Sequence, residues 1–312
     1  MSHKRPYIIG GAVLLVFVAG ITAFLASRDN RQSADRPKKI KVAASFYPLY
    51  FFASEIGGER ADVMNITPSG AEPHDYEPTA QDVARMEDSR LLILNGGGLE
   101  AWGDRIKQNT DAARTLIVTA GEGLATRQAA EEGKTVSDPH IWLSPVLAHQ
   151  IADKIASGFV ALDPANEAYY QSRGDALKAK LDDLDATYRD GLNDCRQKNI
   201  VTSHAAFGYL TSAYELNQVP IAGLSPDAEP SPQQLADVVK FATMNHVTHI
   251  FFESLVSPKL SQTIAREIGV PTLVLNPIEG LSAQEQAQGK NYFTEMQTNL
   301  VNLQTALQCN TK

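Results

Sequence analysis

A chain of 312 residues fits one large domain or two lobes, and 43% hydrophobic with 21% charged residues is the make-up of an ordinary globular protein, not a disordered or fibrous one. The net charge of −8 argues against nucleic acid as a partner, because neutralising phosphates takes clustered Lys and Arg.

The chain begins with His3-Lys4-Arg5 and then runs without charge from Tyr7 to Ser27. Some 20 apolar residues can cross a bilayer as a helix, and positive charge ahead of them places the rest of the chain outside the cytoplasm. Residues 1–27 therefore read as a membrane anchor or a signal segment. The anchor is preferred because Phe24-Leu25-Ala26 is a poor small-x-small cleavage signature. Residues 28–39 are polar and charged and read as a tether. The folded part is expected from Ile40.

From there short apolar runs alternate with helical patterns. Strands are expected at 40–46, 62–67, 90–95, 115–120, 199–203, 219–224, 248–253 and 271–276. Thr79 with Asp82 reads as a helix cap, and Ser144-Pro145 and Ser231-Pro232 each place a cap residue before a proline. Such alternation implies an α/β protein with parallel sheets and flanking helices. Residues 121–137 read as an exposed loop. The alternation breaks at 163–195, one long helical pattern with Tyr170, Leu177, Leu181, Leu184 and Tyr188 at helical spacing. Asp163 and Pro164 suit its start. It reads as a rigid spine between an N-terminal βα lobe (40–162) and a C-terminal βα lobe (196–312), with a long surface helix of one domain as the alternative. Cys195 and Cys309 are an isolated pair in an oxidising compartment, where such a pair usually bonds, two unrelated thiols being the alternative.

The chemistry rests on sparse histidines. His74 and His140 sit in proline-bounded loops, and His204 follows directly on a strand. Glu279 follows the last strand in the same manner. In parallel α/β sheets, ligands bind beyond the carboxyl ends of the strands. Three neutral imidazoles and one carboxylate suit tetrahedral Zn²⁺. Their wide spacing is not itself diagnostic, and any one of them could be an ordinary loop residue. His149, His246 and His249 read as structural, inside a helix or at a helix end.

The stretches EPHDYEPTAQD, MEDSRLLILNG, DPHIWLSP, VTSHAAFGYL and FFESLVSPKLSQTIARE together resemble the zinc-uptake substrate-binding proteins of ABC importers, the ZnuA-like group, over residues 40–309. The resemblance implies two βα lobes joined by one long helix, with the metal in the cleft between them. It implies His74, His140 and His204 as the three histidine ligands and Glu279 as a carboxylate that fills the fourth place in some members. It also implies an ABC permease as partner, an extracytoplasmic monomer, and a disulfide between Cys195 and Cys309. Manganese-type relatives carry a carboxylate at the third position, so His204 favours zinc over Mn²⁺ or Fe²⁺. The chain departs from many Gram-negative relatives in lacking histidine in its 121–137 loop. The rival readings are a metal-dependent adhesin and a zinc hydrolase, the latter needing an open fourth position and Asp75 or Glu77 as a base.

Overall fold

The computed structural model describes residues 39–131 and 134–310. The expected segment 1–27 and its tether lie outside them, apart from Lys39. Among the described residues no helix is long and apolar enough to cross a membrane.

All eight expected strands form. β1 (Ile40–Ala44), β2 (Ala61–Asn65), β3 (Leu91–Leu94) and β4 (Leu116–Thr119) make a parallel sheet in the order β2-β1-β3-β4. After these come β5 (Gln128–Glu131) and β6 (Lys134–Ser137), and then β7 (Asn199–Thr202), β8 (Asn217–Pro220), β9 (Ile250–Phe252) and β10 (Thr272–Val274). The last four form a second parallel sheet in the order β10-β9-β7-β8. β3 is apolar throughout and fully buried, as a parallel strand covered on both faces must be.

The helices are α1 (Tyr47–Gly57), α2 (Ala80–Asp88), α3 (Gly103–Asn109), α4 (Pro145–Leu162), α5 (Glu167–Leu192), α6 (Gly208–Ala213), α7 (Pro232–Met244), α8 (Lys259–Ile268), α9 (Ala283–Ala287) and α10 (Tyr292–Leu307). Thr79 and Asp82 close a capping box on α2, and Ser231 with Gln234 does the same for α7. Ser144 stands at the N-cap of α4 but makes no side-chain cap bond; Pro145 starts the helix there without one.

Three expectations need correction. The long helical pattern starts later than 163: Pro164–Asn166 form a 3-10 turn, and α5 begins at Glu167. Asp163 does not cap it, because its carboxylate accepts from Asn166 Nδ2 and the Tyr170 hydroxyl instead. The stretch 121–137 is not all loop, since β5 and β6 pair antiparallel as a hairpin. β8 starts at Asn217, two residues early, where Asn217–Pro220 pair in register with Asn199–Thr202.

The spine helix α5 buries Tyr170, Gly174, Leu177, Leu181, Leu184, Tyr188 and Leu192. It is not the sole link between the two sheets. Residues from Ile40 onward form one compact unit, and a single apolar core runs from Val42 and Leu91 through Trp142 and Leu181 to Leu275 and Leu303. Tyr188 donates to the Met296 carbonyl at 2.7 Å and so ties α5 to α10. Cys195 and Cys309 are disulfide-bonded just beyond the ends of those two helices. Tyr292 packs on Phe51 and Phe52 of α1 and donates to the Trp142 carbonyl at 2.6 Å. Each sheet also covers its far side with its own small cluster, around Trp102 and Met86 in the first and around Val238 and Ile264 in the second.

Candidate metal centre

Three of the four candidate residues follow the carboxyl ends of strands in the two parallel sheets, and the fourth follows the hairpin. His74 lies in the loop between β2 and α2, and His140 in the short segment between β6 and α4. His204 stands directly after β7, capping the 3-10 turn Ala205–Phe207 in extended conformation. Glu279 lies beyond β10.

These four side chains meet. One potential ligand atom from each lies within 4.8 Å of all the others. Glu279 Oε1 is 3.5, 3.2 and 3.4 Å from Nε2 of His74, His140 and His204. His140 Nε2 is 3.3 Å from Nε2 of both His74 and His204. A tetrahedron about a zinc ion with bonds of about 2.0–2.1 Å has edges of about 3.3–3.4 Å, because the edge is about 1.63 times the bond. An octahedral shell at the same bond length has edges of only about 2.9 Å. Five of the six edges are given by the distances above and lie within about 0.2 Å of the tetrahedral value; the sixth, between His74 and His204, is within 4.8 Å. The side chains are 0–9% exposed, and among the described residues the Glu279 oxygens have no partner beyond the three facing imidazoles. A buried carboxylate is costly unless positive charge faces it, from protonated imidazoles or from a metal cation.

The arrangement fixes which ring nitrogen faces the centre. His140 Nδ1 lies 2.9 Å from Asp138 Oδ1, and the same oxygen accepts the His140 backbone N–H at 3.0 Å. His204 Nδ1 makes the equivalent bond to Glu253, which also accepts from the Ser203 hydroxyl. A carboxylate accepts, so each Nδ1 carries the proton and each Nε2 keeps its lone pair for a metal. Sequence reasoning missed Asp138 and Glu253. The signals were present: an acid two residues before His140 in DPH, and an acid closing the strand THIFFE, in a position equivalent to His204.

Charge is balanced inside the cluster. Burial works against the Glu279 anion, but the His204, His140 and His74 rings hold its pKa well below the usual carboxylate range. Burial also opposes the His204 and His140 imidazolium forms. Glu253 and Glu279 outweigh it and raise His204 well above the ordinary value, and Asp138 and Glu279 raise His140. His74 has no such carboxylate on its other side, and burial lowers its pKa. Glu72 accepts the His74 backbone N–H at 3.2 Å, and burial together with Glu279 pushes its carboxyl up to about 9.

The Glu279 turn is itself held under strain. Ile278 has φ +58°, a left-handed conformation unfavourable for a β-branched residue. It persists because Ile278 N–H donates to Asn276 Oδ1 at 2.8 Å and Trp142 Nε1 donates to the Pro277 carbonyl at 2.7 Å. The other acids and histidines stand apart. Glu77 pairs with Arg105 at 3.1 Å, and Asp75 shares a hydrogen bond with Asp227 that lifts its carboxyl to about 6. His149 bonds Asp182 at 2.7 Å on the surface of α4 and α5, and His249 contacts Thr248. His246 follows α7 with φ +52°.

The family model "Zinc-uptake complex component A periplasmic", ZnuA, matches residues 42–306. The chain belongs to the ZnuA family. Such a protein is an extracytoplasmic zinc-binding component of ABC import, with an ABC permease as partner, and it is not an enzyme; the zinc hydrolase reading falls. The chain is 38% identical to the high-affinity zinc uptake system protein ZnuA of Bacillus subtilis, over 96% of each chain. It is 34% identical to the zinc-binding lipoprotein AdcA of Streptococcus pneumoniae, of which it spans 59%. Among solved structures, the metal-dependent lipoprotein YcdH of Bacillus subtilis is 40% identical with a TM-score of 0.76, covering 86% of this chain and 99% of that one. Zn(II)-bound AdcA of Streptococcus pneumoniae is 35% identical with a TM-score of 0.76, covering 88% of this chain and 59% of that one. The ZnuA-like fold of two parallel sheets flanked by helices, with one long helix between, is thus shared.

Proposed function

We propose that His74, His140, His204 and Glu279 together bind one Zn²⁺ as cargo, between an N-terminal lobe (40–162) and a C-terminal lobe (196–312) joined by the spine (163–195). The observation that carries this reading is the set of five nitrogen–nitrogen and nitrogen–oxygen distances of 3.2–3.5 Å, which suit a tetrahedral zinc shell. Glu279 closes that shell, so no water is needed to complete it. Three imidazoles and one carboxylate favour zinc over the harder Mn²⁺.

The loaded protein, a monomer held at the outer face of the cytoplasmic membrane by residues 1–27, docks on its permease and releases the ion there. The shared core along the spine limits the motion to loosening of the loops that carry the ligands. Competition titration tests this. The unaltered chain is expected to bind zinc tightly and to stay folded when zinc is stripped. His204→Ala should weaken binding by about 100- to 1000-fold, if four ligands share roughly 10–16 kcal/mol. Unchanged affinity in His204→Ala would sink the assignment.

A further inference from the structure

The hairpin meets the second sheet's helices at a point the cargo shell does not itself require. Arg127, just before β5, and Asp138, just after β6, close the hairpin base through a bond from Asp138 N–H to the Arg127 carbonyl at 3.0 Å. From there Arg127 reaches α6, the short helix that follows His204. Its Nη1 donates to Ser212 Oγ at 2.6 Å, and its backbone N–H donates to the Tyr209 hydroxyl at 2.9 Å. That hydroxyl donates in turn to the Asp138 carbonyl at 3.1 Å. The guanidinium carbon lies 5.8 Å from the centre of the Tyr209 ring. A Cβ on Gly208 would lie 2.8 Å from both Arg127 Nε and Asp138 Oδ2, so glycine lets the start of α6 come this close.

Asp138 is the link to the cargo. Its Oδ1 takes the ring and backbone N–H groups of His140, and its Oδ2 faces Arg127 Nε at 3.7 Å. A cation beside Oδ2 fixes the plane of the carboxylate, and the carboxylate fixes the ring. We propose that Arg127 is a positioning residue for zinc: it latches the hairpin base to α6 and, through Asp138, keeps His140 Nε2 aimed at the ion. The latch spans the two halves, touching the elements that carry His140 and His204, so zinc leaves slowly while it is made. The proposal rests on the reading of the four residues as ligands. Arg127 is 43% exposed, so its ion pair contributes little to global stability. Its effect belongs in release of the ion, not in the zinc-free fold.

The test is the rate of zinc release from the full chain into excess chelator, read beside thermal midpoints with and without zinc. Arg127→Ala should speed release about tenfold, the low end of what loss of an outer partner costs a metal site. Ser212→Ala, which removes one exposed hydroxyl and leaves the fold intact, should speed it less. Arg127→Lys, which keeps a cation beside Asp138, should recover part of the loss. The zinc-free midpoint should move little in all three. Release from Arg127→Ala and Ser212→Ala at the unaltered rate overturns the latch alone, as do equal drops in both midpoints without faster release. An unaltered chain that holds no zinc overturns the ligand assignment and the latch with it.

Discussion

The spine side and the cleft side of this molecule are built from opposite materials. Along the spine, Tyr170, Leu177, Leu181, Tyr188, Tyr292 and Leu303 pack into one dry core shared by both halves, closed at its end by the Cys195–Cys309 bond. Across the cleft, the contacts are imidazoles, carboxylates and a few polar latches. Burial of apolar area is non-directional and tolerates small shifts, whereas a shell of four ligands demands geometry to within tenths of an ångström. The division teaches that stability is supplied on one side and selectivity on the other. Changes on the spine should lower the zinc-free and zinc-loaded midpoints together. Changes at the cleft should shrink the zinc-induced shift between them.

The largest effect on stability should come from the spine. Cys195 and Cys309 are 114 residues apart, and closing a loop of that size stabilises the fold by roughly 4–5 kcal/mol in the chain-entropy model. Replacing both by serine should lower both thermal midpoints by similar amounts, with zinc affinity nearly kept. A selective loss of affinity with an unchanged zinc-free midpoint would contradict the division of labour.

The pH dependence separates the same two sides. His140 and His204 have raised pKa values, so their protonated forms stabilise the zinc-free protein fully below the ordinary value of about 6.5. That stability is lost as pH rises through their folded values. Zinc bound as proposed needs both rings to give up a proton from Nε2, so it competes with protons in that raised window. Affinity should rise by about tenfold per pH unit for each proton displaced, and the zinc-induced midpoint shift should widen as pH rises from about 6.5 through the raised folded values. His74, its pKa lowered by burial, adds less slope than the other two. A flat affinity over that interval, measured by competition titration, would contradict imidazole ligation.

Next in size is Glu253→Gln. It keeps the shape beside His204 but can present an amide N–H where the ring needs an acceptor, and it removes the charge that favours the imidazolium. Loss of such an outer partner costs about 10- to 100-fold in metal affinity. The zinc-free midpoint at about pH 6 should also fall, because the charged pair is gone. Isothermal titration reads the first effect, and a melting curve of the zinc-free protein at about pH 6 reads the second.

Much of this was legible in the sequence because it depends on local pattern. The strands announced themselves as apolar runs, and Thr79 and Ser231 as caps. The spine was visible as Tyr170-to-Tyr188 periodicity, but its start was not. Asp163 looks like a cap, yet Asn166 and Tyr170 compete for its carboxylate in space. The hairpin was hidden because Gln128–Glu131 and Lys134–Ser137 are largely polar and lack an alternating apolar face. Asp138 and Glu253 were in view as letters, but their role depends on which way an oxygen points, and that is fixed only by tertiary packing. The shared core, likewise, follows from how Tyr292 meets Phe51 and Phe52, residues some 240 positions apart by number.

The smallest expected effect concerns the proposed ligand that lacks a carboxylate behind it. His74 sits in a loop whose far end is pinned by the start of α2 rather than by an acid on its ring. There Asp82 Oδ2 accepts from the Tyr76 hydroxyl at 2.7 Å and from Thr79 N–H at 3.0 Å, and Thr79 Oγ1 accepts from Asp82 N–H at 3.2 Å. Thr79→Ala removes one half of that box and should cost about 1 kcal/mol of stability. If the cap also orders the His74 loop, zinc release should quicken slightly, by less than Glu253→Gln produces. If it serves the helix alone, the two midpoints should fall together, and the order of His74 then rests on Pro73, Pro78 and the Glu72 bond to its backbone. Release kinetics beside paired melting curves distinguish the two, and either result says how an imidazole without an acid partner is held in place.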